Sequence, residues 1–273
     1  MLGFLHGLKQ QLNIYKGRLT PRNGVIFADS QITPGQHPSI FINTLPKSGS
    51  IFIRRSLQGS ARLKSQKLAY GYFPNDLIDY HKIRSFSKGG KIAQEHIDAN
   101  PLNLVHLERF VKRWVIHLRD PRGSLLSWVH HLDRLHREAH HHAVQASSPF
   151  LPQEYFRWEL HQKIDWQIEH YLKQAVIWIR DWGEYHARHP GAILVTTHTD
   201  LSADAEEVIK NILRFHGMHL PKVKLVEKSM YNHFRKGETA EWKRVYTPAQ
   251  QARALQICAP LYGVFSDADY LVE

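Results

Sequence analysis

The chain of 273 residues has one cysteine, Cys258, so no disulfide can form within it and nothing calls for an oxidising compartment. No apolar run approaches the roughly 18 residues that a membrane-spanning helix needs. The first residues, Met1-Leu2-Gly3-Phe4-Leu5, carry neither a basic leading segment nor a small-residue cleavage site, so a secretory signal is not expected and a cytoplasmic protein is. The spacing G-x-x-x-x-G-K-[ST] of the triphosphate-binding loop is also missing, which counts against a triphosphate-dependent kinase. There is no internal repeat and no long low-complexity linker, so a single domain over 1–273 is expected. Hydrophobic residues make up 42%, enough for a sizeable core.

What the chain has is positive charge: 36 Lys and Arg against 25 Asp and Glu, a formal +11. That favours an anionic partner, whether nucleic acid, an acidic membrane or a phosphorylated ligand. Leu5, Leu8, Leu12 and Tyr15 recur at helical spacing, predicting a helix within 1–20 that packs on the domain, with a membrane-surface helix as the alternative. Further on, residues 39–44 read as a buried strand, 51–57 as a helix, 91–96 as a short strand, 102–112 as a helix and 114–118 as a strand. Asp120 then supplies a capping side chain and Pro121 a first helical residue for a long helix through Ser124, Ser127 and His131. Residues 152–189 are aromatic-rich with helical period, 192–196 read as a strand and 205–215 as a helix. Strands alternating with helices predict an α/β fold with a central parallel sheet flanked by helices. Ligands of such sheets bind beyond the carboxyl ends of the strands, so the loops after Thr44, His96, Leu118 and Thr196 are expected to share one crevice.

Three segments could hold anions there. In Thr44-Leu45-Pro46-Lys47-Ser48-Gly49-Ser50 a strand feeds a tight loop and then a helix. Gly49 lets backbone approach a ligand, the helix start offers N–H groups, and Lys47 adds a full charge. The bland alternative is an ordinary strand–turn–helix connection. In Leu118-Arg119-Asp120-Pro121-Arg122-Gly123-Ser124, Arg119 ends a strand and Ser127 follows eight residues later, so that a guanidinium fork and a hydroxyl can converge on a phosphate. A surface Arg–Asp pair is the alternative. In Phe234-Arg235-Lys236-Gly237-Glu238-Thr239-Ala240-Glu241-Trp242-Lys243 two cations precede a glycine, and Trp242 offers a flat ring. Alone, that segment reads as a solvated basic turn.

Together the three segments resemble the sulfotransferases that use 3'-phosphoadenosine 5'-phosphosulfate (PAPS), in the branch that includes the cytosolic enzymes. The family's 5'-phosphosulfate loop, P-K-S-G-[ST], is similar to Pro46-Lys47-Ser48-Gly49-Ser50. Its 3'-phosphate pair is similar to Arg119 and Ser127, and its late motif, R-K-G-x-x-G-D-W-K, is similar to Arg235-Lys236-Gly237 followed by Trp242-Lys243. The resemblance implies a P-loop-like three-layer fold and transfer of a sulfuryl group to an acceptor hydroxyl. It implies PAPS contacts from Lys47, Ser48, Gly49, Ser50, Ile51, Arg119, Ser127, Arg235, Lys236 and Gly237, and no metal. His198 stands where similar enzymes carry an adenine-contacting tyrosine. There are departures: Phe52 replaces a common tryptophan that stacks on adenine, Ala240-Glu241 replaces Gly-Asp, and the dimerisation sequence is only partly present.

Transfer to a hydroxyl needs a base that titrates near neutrality, which suits histidine. Twenty histidines make abundance uninformative. Similar enzymes place theirs about 20 residues before the 3'-phosphate arginine, and His96 lies 23 before Arg119, with Gln94 where the family usually has a lysine. His96 is therefore the expected base, with His106 and His81 as alternatives, and Lys47 is expected to act on the leaving phosphate. His136 and His140 are one turn apart and could chelate, but no cysteine or clear carboxylate completes a metal site, so a solvated face or a lid is expected instead. The region 130–189 is expected to line the acceptor side, with Trp158, Trp166, Trp178 and Trp182 as core rather than sugar platforms. Glycan, lipid and small alcohol or phenol acceptors all stay open. The rival readings are a P-loop-like small-molecule kinase and a non-catalytic, basic nucleic-acid-binding protein; no nucleic-acid partner is expected on the motif reading.

Overall fold

The strand Ile40–Thr44 (β1) lies at the centre of the fold, and every one of its residues is buried. The computed structural model describes residues 37–227 and 239–272. These fall in one compact unit, Ile32–Glu273; the other unit, Met1–Gln31, and with it the helix expected within 1–20, lies outside the described residues.

After β1 come the helix Ser50–Ala61 (α1), the short strands Lys64–Ser65 (β2), Ala69–Tyr70 (β3) and Leu77–Ile78 (β4), and the helix Tyr80–Phe86 (α2). Next are Lys91–Glu95 (β5), Pro101–Phe110 (α3), Trp114–Leu118 (β6), Pro121–Arg137 (α4), His141–Ser147 (α5) and Leu160–Gln167 (α6). A π-helical turn, Ile168–Leu172, joins α6 to Lys173–Arg188 (α7). The chain continues through Ile193–Thr197 (β7), His198–Ala203 (α8), Ala205–Phe215 (α9), Glu241–Val245 (α10) and Pro248–Cys258 (α11). The main sheet has the order β2-β5-β1-β6-β7 and all its pairings are parallel, as the alternation of elements predicts. The antiparallel hairpin β3–β4 stands apart from it.

Period-two alternation in the strands builds three layers. Ile40, Ile42, Ile92 and Val115 face one side, where Ile53 and Leu57 of α1 and Val208, Ile209 and Ile212 of α9 cover them. Phe41, Ala93, Trp114, Ile116 and Leu118 face the other, beneath α4, α7 and α11. The expected boundaries hold closely. The helix predicted over 102–112 ends at Phe110, because Val111 turns extended (φ −131°, ψ 106°). Asp120 caps α4 as expected, accepting from the Arg122 N–H, with Pro121 first in the helix. Trp178 and Trp182 are fully buried core, and Trp158 and Trp166 pack partly buried against it. Among the described residues no helix is long and apolar enough to cross a membrane.

Candidate active site

The loop between β1 and α1 is a tight reversal, in which Lys47 (φ 65°) and Gly49 (φ 93°) are left-handed on either side of Ser48. That geometry suits glycine at position 49, where a Cβ would also come within 2.9 Å of the Leu201 side chain. Left-handed residues placed this way turn successive N–H groups toward one side and make an anion-binding concavity.

The carbonyls of the loop are pulled the other way, each by an identifiable donor. The Ser48 hydroxyl donates to the Leu45 carbonyl (2.7 Å). The Ser124 hydroxyl donates to the Pro46 carbonyl (2.5 Å), and the Tyr171 hydroxyl, 2.5 Å from Ser124 Oγ, also reaches that carbonyl (3.3 Å). Arg119 Nη1 donates to the Lys47 carbonyl (2.7 Å). His117 Nε2 donates to the Ser48 carbonyl (2.9 Å), and its Nδ1 accepts from Thr196 Oγ1 (2.8 Å). Because a trans peptide points its N–H opposite its C=O, holding these carbonyls inward aims the N–H groups of residues 46–49, proline apart, away from those donors. Burial pushes the His117 ring down to about 4, so this bridge between loop and β7 is made by a neutral ring near neutral pH.

The chain segments at the ends of β1, β5, β6 and β7 meet one another: His96 with Thr44, Arg119 with Lys47, and His198 with Gly49. His96, just beyond β5, is half-buried beside the end of β1: its Nδ1 lies 2.6 Å from the Thr44 carbonyl and 3.1 Å from the Thr44 hydroxyl. A carbonyl can only accept, so Nδ1 carries the proton and Nε2 keeps its lone pair. The Gln94 amide lies 3.2 Å from that Nε2 and donates to it. Burial pushes the His96 ring down to about 4; the Thr44 carbonyl opposes this, while the charges of Lys47 and Lys67 add to it. The ring is thus a neutral acceptor at physiological pH, held beside the lysine of the anion loop. His81 and His106, the alternatives, pack instead on Tyr80, at 5.4 and 5.9 Å between ring centroids.

Arg119 is buried at the end of β6, with Nη1 bound to the loop. Asp120 bridges to Arg122 at 2.7 Å, so an Arg–Asp pair does form here, but buried rather than at the surface. Ser127 is half-buried on α4, one turn beyond Ser124 and hence on the face that meets the loop. His198 is buried at the start of α8, its ring edge within 3.8 Å of where a Gly49 Cβ would stand. Ser50 and Ile51 form the first turn of α1, and Phe52 beside them packs half-buried against the α1–α9 cluster.

Arg235, Lys236 and Gly237 lie outside the described residues. The chain just after them returns to the site: the Thr239 carbonyl and the Arg119 guanidinium both approach Gly123 closely, so that a Cβ there would meet them at 3.4 and 3.5 Å. Trp242 does not offer its ring to the crevice. It is 2% exposed, with the Arg122 guanidinium 4.2 Å above it, and serves as core under the first turn of α4. The histidine-rich segment gathers no metal-binding group among the described residues: His136 stacks on Phe156 (4.0 Å, 4°) and His140 sits near Glu138.

Sequence reasoning passed over Asn43, His117, Ser124, Tyr171 and the Glu95 carboxyl. Asn43 and His117 had a signal: each is a polar residue inside an otherwise apolar, fully buried strand, a place where an unpaired polar group is costly. Tyr171 had none, since the π-helical turn that aims it at Ser124 leaves no mark in the periodicity.

A family model described as a sulfotransferase domain matches residues 37–232. The fold is similar to that of mouse sulfotransferase SULT7A1, solved in complex with PAP (TM-score 0.54, 16% identity, covering 81% of this chain and 82% of that one). It is also similar to a sulfotransferase domain from the curacin biosynthetic pathway (TM-score 0.50, 10% identity, covering 83% and 98%). At such identities the likeness concerns the fold. No curated protein matches the chain by sequence.

Proposed function

The chain belongs to the sulfotransferase-domain family, and we propose that it is a PAPS-dependent enzyme that transfers the sulfuryl group by in-line displacement, with His96 as general base and Lys47 at the leaving phosphate. The observation that carries this reading is the placement of His96, whose Nδ1–H bond to the Thr44 carbonyl leaves Nε2 unprotonated, with only the Gln94 amide for the acceptor hydroxyl to displace, beside the loop that begins one residue after Thr44. In the step proposed, the acceptor O–H gives its proton to His96 Nε2 as the oxygen bonds to sulfur. The bond between sulfur and the phosphate oxygen breaks, and its electron pair leaves on the 5'-phosphate. Lys47 and the loop N–H groups take up that charge, so positioning and electrostatics supply most of the acceleration.

Arg119 and Ser127, with Arg235, Lys236 and Gly237, hold the 3'-phosphate in this reading and select PAPS over analogues lacking it. His198 contacts the adenine side, and Ser48, Ser50 and Ile51 complete the 5' cradle. The acceptor is a hydroxyl compound, approached from the side of α4 to α7. The kinase reading lacks the lysine–serine pair of a triphosphate loop, and the nucleic-acid reading does not account for cations placed at loop-to-helix junctions.

The test is transfer of labelled sulfate from PAPS across an acceptor panel, with His96→Ala and Lys47→Ala beside the parent. Loss of a positioned base costs about 10²- to 10⁴-fold, and both variants should fall at least that far. Near-parental turnover by His96→Ala would remove the base assignment. Failure to bind adenosine 3',5'-bisphosphate, together with salt-sensitive DNA binding, would replace the whole reading.

A further inference from the structure

We infer that Asn43, Trp178 and Trp182 are positioning residues for the base, acting through the peptide that follows it. The inference rests on the reading of His96 as that base. The residue after His96 is Ile97, and its backbone is held at both ends. Its N–H donates to Asn43 Oδ1 (3.0 Å). Its carbonyl accepts from Asn43 Nδ2 (2.9 Å), from Trp178 Nε1 (2.6 Å) and from Trp182 Nε1 (3.0 Å). A carbonyl offers two lone pairs, so three donors saturate it. Asn43 and Trp182 are 0% exposed, as is Ile97, and Trp178 is 1% exposed.

Packing alone does not ask for this. A buried indole needs one acceptor for its N–H, and α7 could supply different ones to residues four apart. Two indoles from one helix face and a strand asparagine instead converge on a single oxygen. The effect falls on His96. Its Nδ1–H meets the Thr44 carbonyl only while the peptide on its far side keeps this register, and Asn43 and Thr44 are neighbours on β1. Thus one residue of β1 holds the peptide, the next holds the ring, and the anion loop follows directly. The two tryptophans tie α7, on the acceptor side, to the same peptide. A misplacement of about 1 Å at a reacting group is enough to cost on the order of 10²-fold in rate, so a clamp of this kind has something to protect.

The test uses Trp178→Phe, Trp182→Phe and the double variant, which keep an aromatic ring and lose the N–H. Trp114→Phe is the control, because its buried indole N–H finds no acceptor among the described residues. The readout is the tautomer of His96 in full-length protein labelled with ¹⁵N-histidine, by long-range proton–nitrogen correlation, with the His96 signal assigned by its loss in His96→Gln. The parent and Trp114→Phe should show a single Nδ1–H tautomer. The double variant should show tautomer averaging, with the Nε2 resonance moved toward a protonated nitrogen, and each single variant part of that change. Should the double variant not fold, the singles against the control carry the same comparison. An unchanged His96 signal in the tryptophan variants, or an equal change in Trp114→Phe, would overturn the inference. Active His96→Ala protein would remove the base reading and leave the tautomer result as it stands, so the two failures are distinguishable.

Discussion

Replacing Glu95 by glutamine should alter how stability depends on pH, with a sign set by where the carboxyl sits. Glu95 is the last residue of β5, next to the proposed base, and only 4% exposed. Its Oε1 accepts from the backbone N–H groups of Leu68 and Ala69, which anchors the entry to the β3–β4 hairpin. Burial raises its pKa from 4.5 to about 7; the two N–H groups oppose the rise, Asp76 adds to it and Lys67 opposes it. Between those values the folded protein holds a proton that the unfolded chain has released. This contribution to stability is therefore full below pH 4.5 and lost as pH rises through about 7. At roughly 1.4 kcal/mol per pH step, the loss amounts to about 3 kcal/mol. His96 and His117 work in the opposite direction: their folded pKa values of about 4 lie below the ordinary 6.5, so stability is lost as pH falls from 6.5 toward 4. The parent profile sums these effects, and the difference between parent and Glu95→Gln isolates the carboxyl, since a glutamine Oε1 can still accept from both N–H groups. Denaturant unfolding at pH 5 and pH 8 should show the variant gaining about 2.5 kcal/mol on the parent over that interval, most of the full effect. A difference that stays flat, or shrinks as pH rises, would refute the assignment of a buried, protonatable Glu95.

The base predicts a second pH effect. Because burial holds His96 near 4, transfer should stay level from about pH 8 down to about pH 5 and fall only on protonation below that; a half-maximal point at the ordinary histidine value of 6.5 would contradict the buried ring. Tyr171→Phe removes the hydroxyl behind Ser124 and the Pro46 carbonyl, which should cost about 1 kcal/mol of stability. It should also raise the Kd for adenosine 3',5'-bisphosphate by about fivefold, roughly 1 kcal/mol, as read by titration calorimetry; unchanged affinity would mean that the loop keeps its shape without it.

The fold and the turn between β1 and α1 were legible in the sequence for different reasons. Strand runs such as Ile40-Phe41-Ile42 and Trp114-Val115-Ile116 can only be stable buried, and the Asp120-Pro121 helix start is local chemistry, so both are read without tertiary information. The tight turn between β1 and α1 was legible because Gly49 marks its left-handed backbone. What lay beyond the sequence is what long-range contacts create. Trp242 looked like an offered ring, but α4 closes over it through Arg122. A surface Arg–Asp pair was the alternative at 119–122, but Asp120 is buried, bridging to Arg122 and accepting from the Val272 N–H far along the chain. Apart from Ser48 within the loop itself, the donors that shape the loop include groups of β6, α4 and the π-helical turn, at separations of 69 to 125 residues.

Arg119 offers the sharpest discrimination between a phosphate ligand and a structural residue, because it is cast as both. Its Nη1 already donates to the Lys47 carbonyl, so one edge of the guanidinium shapes the 5' loop while the group as a whole is proposed to meet the 3'-phosphate. Ser127 has only the second task. The two residues should therefore fail differently when challenged with adenosine 3',5'-bisphosphate and with adenosine 5'-phosphate, which lacks the 3' group. Ser127→Ala should weaken the bisphosphate by one hydrogen bond to a charged group, about 1.5–3 kcal/mol or on the order of tenfold to a hundredfold, and leave the monophosphate unchanged. Arg119→Met should weaken both, since the Lys47 peptide loses its anchor along with the phosphate contact. If Arg119→Met spared the monophosphate, the bond to Lys47 would not be shaping the loop. If Ser127→Ala weakened both ligands equally, Ser127 would be acting through α4 and the loop it supports, and the 3'-phosphate would have to be held from elsewhere.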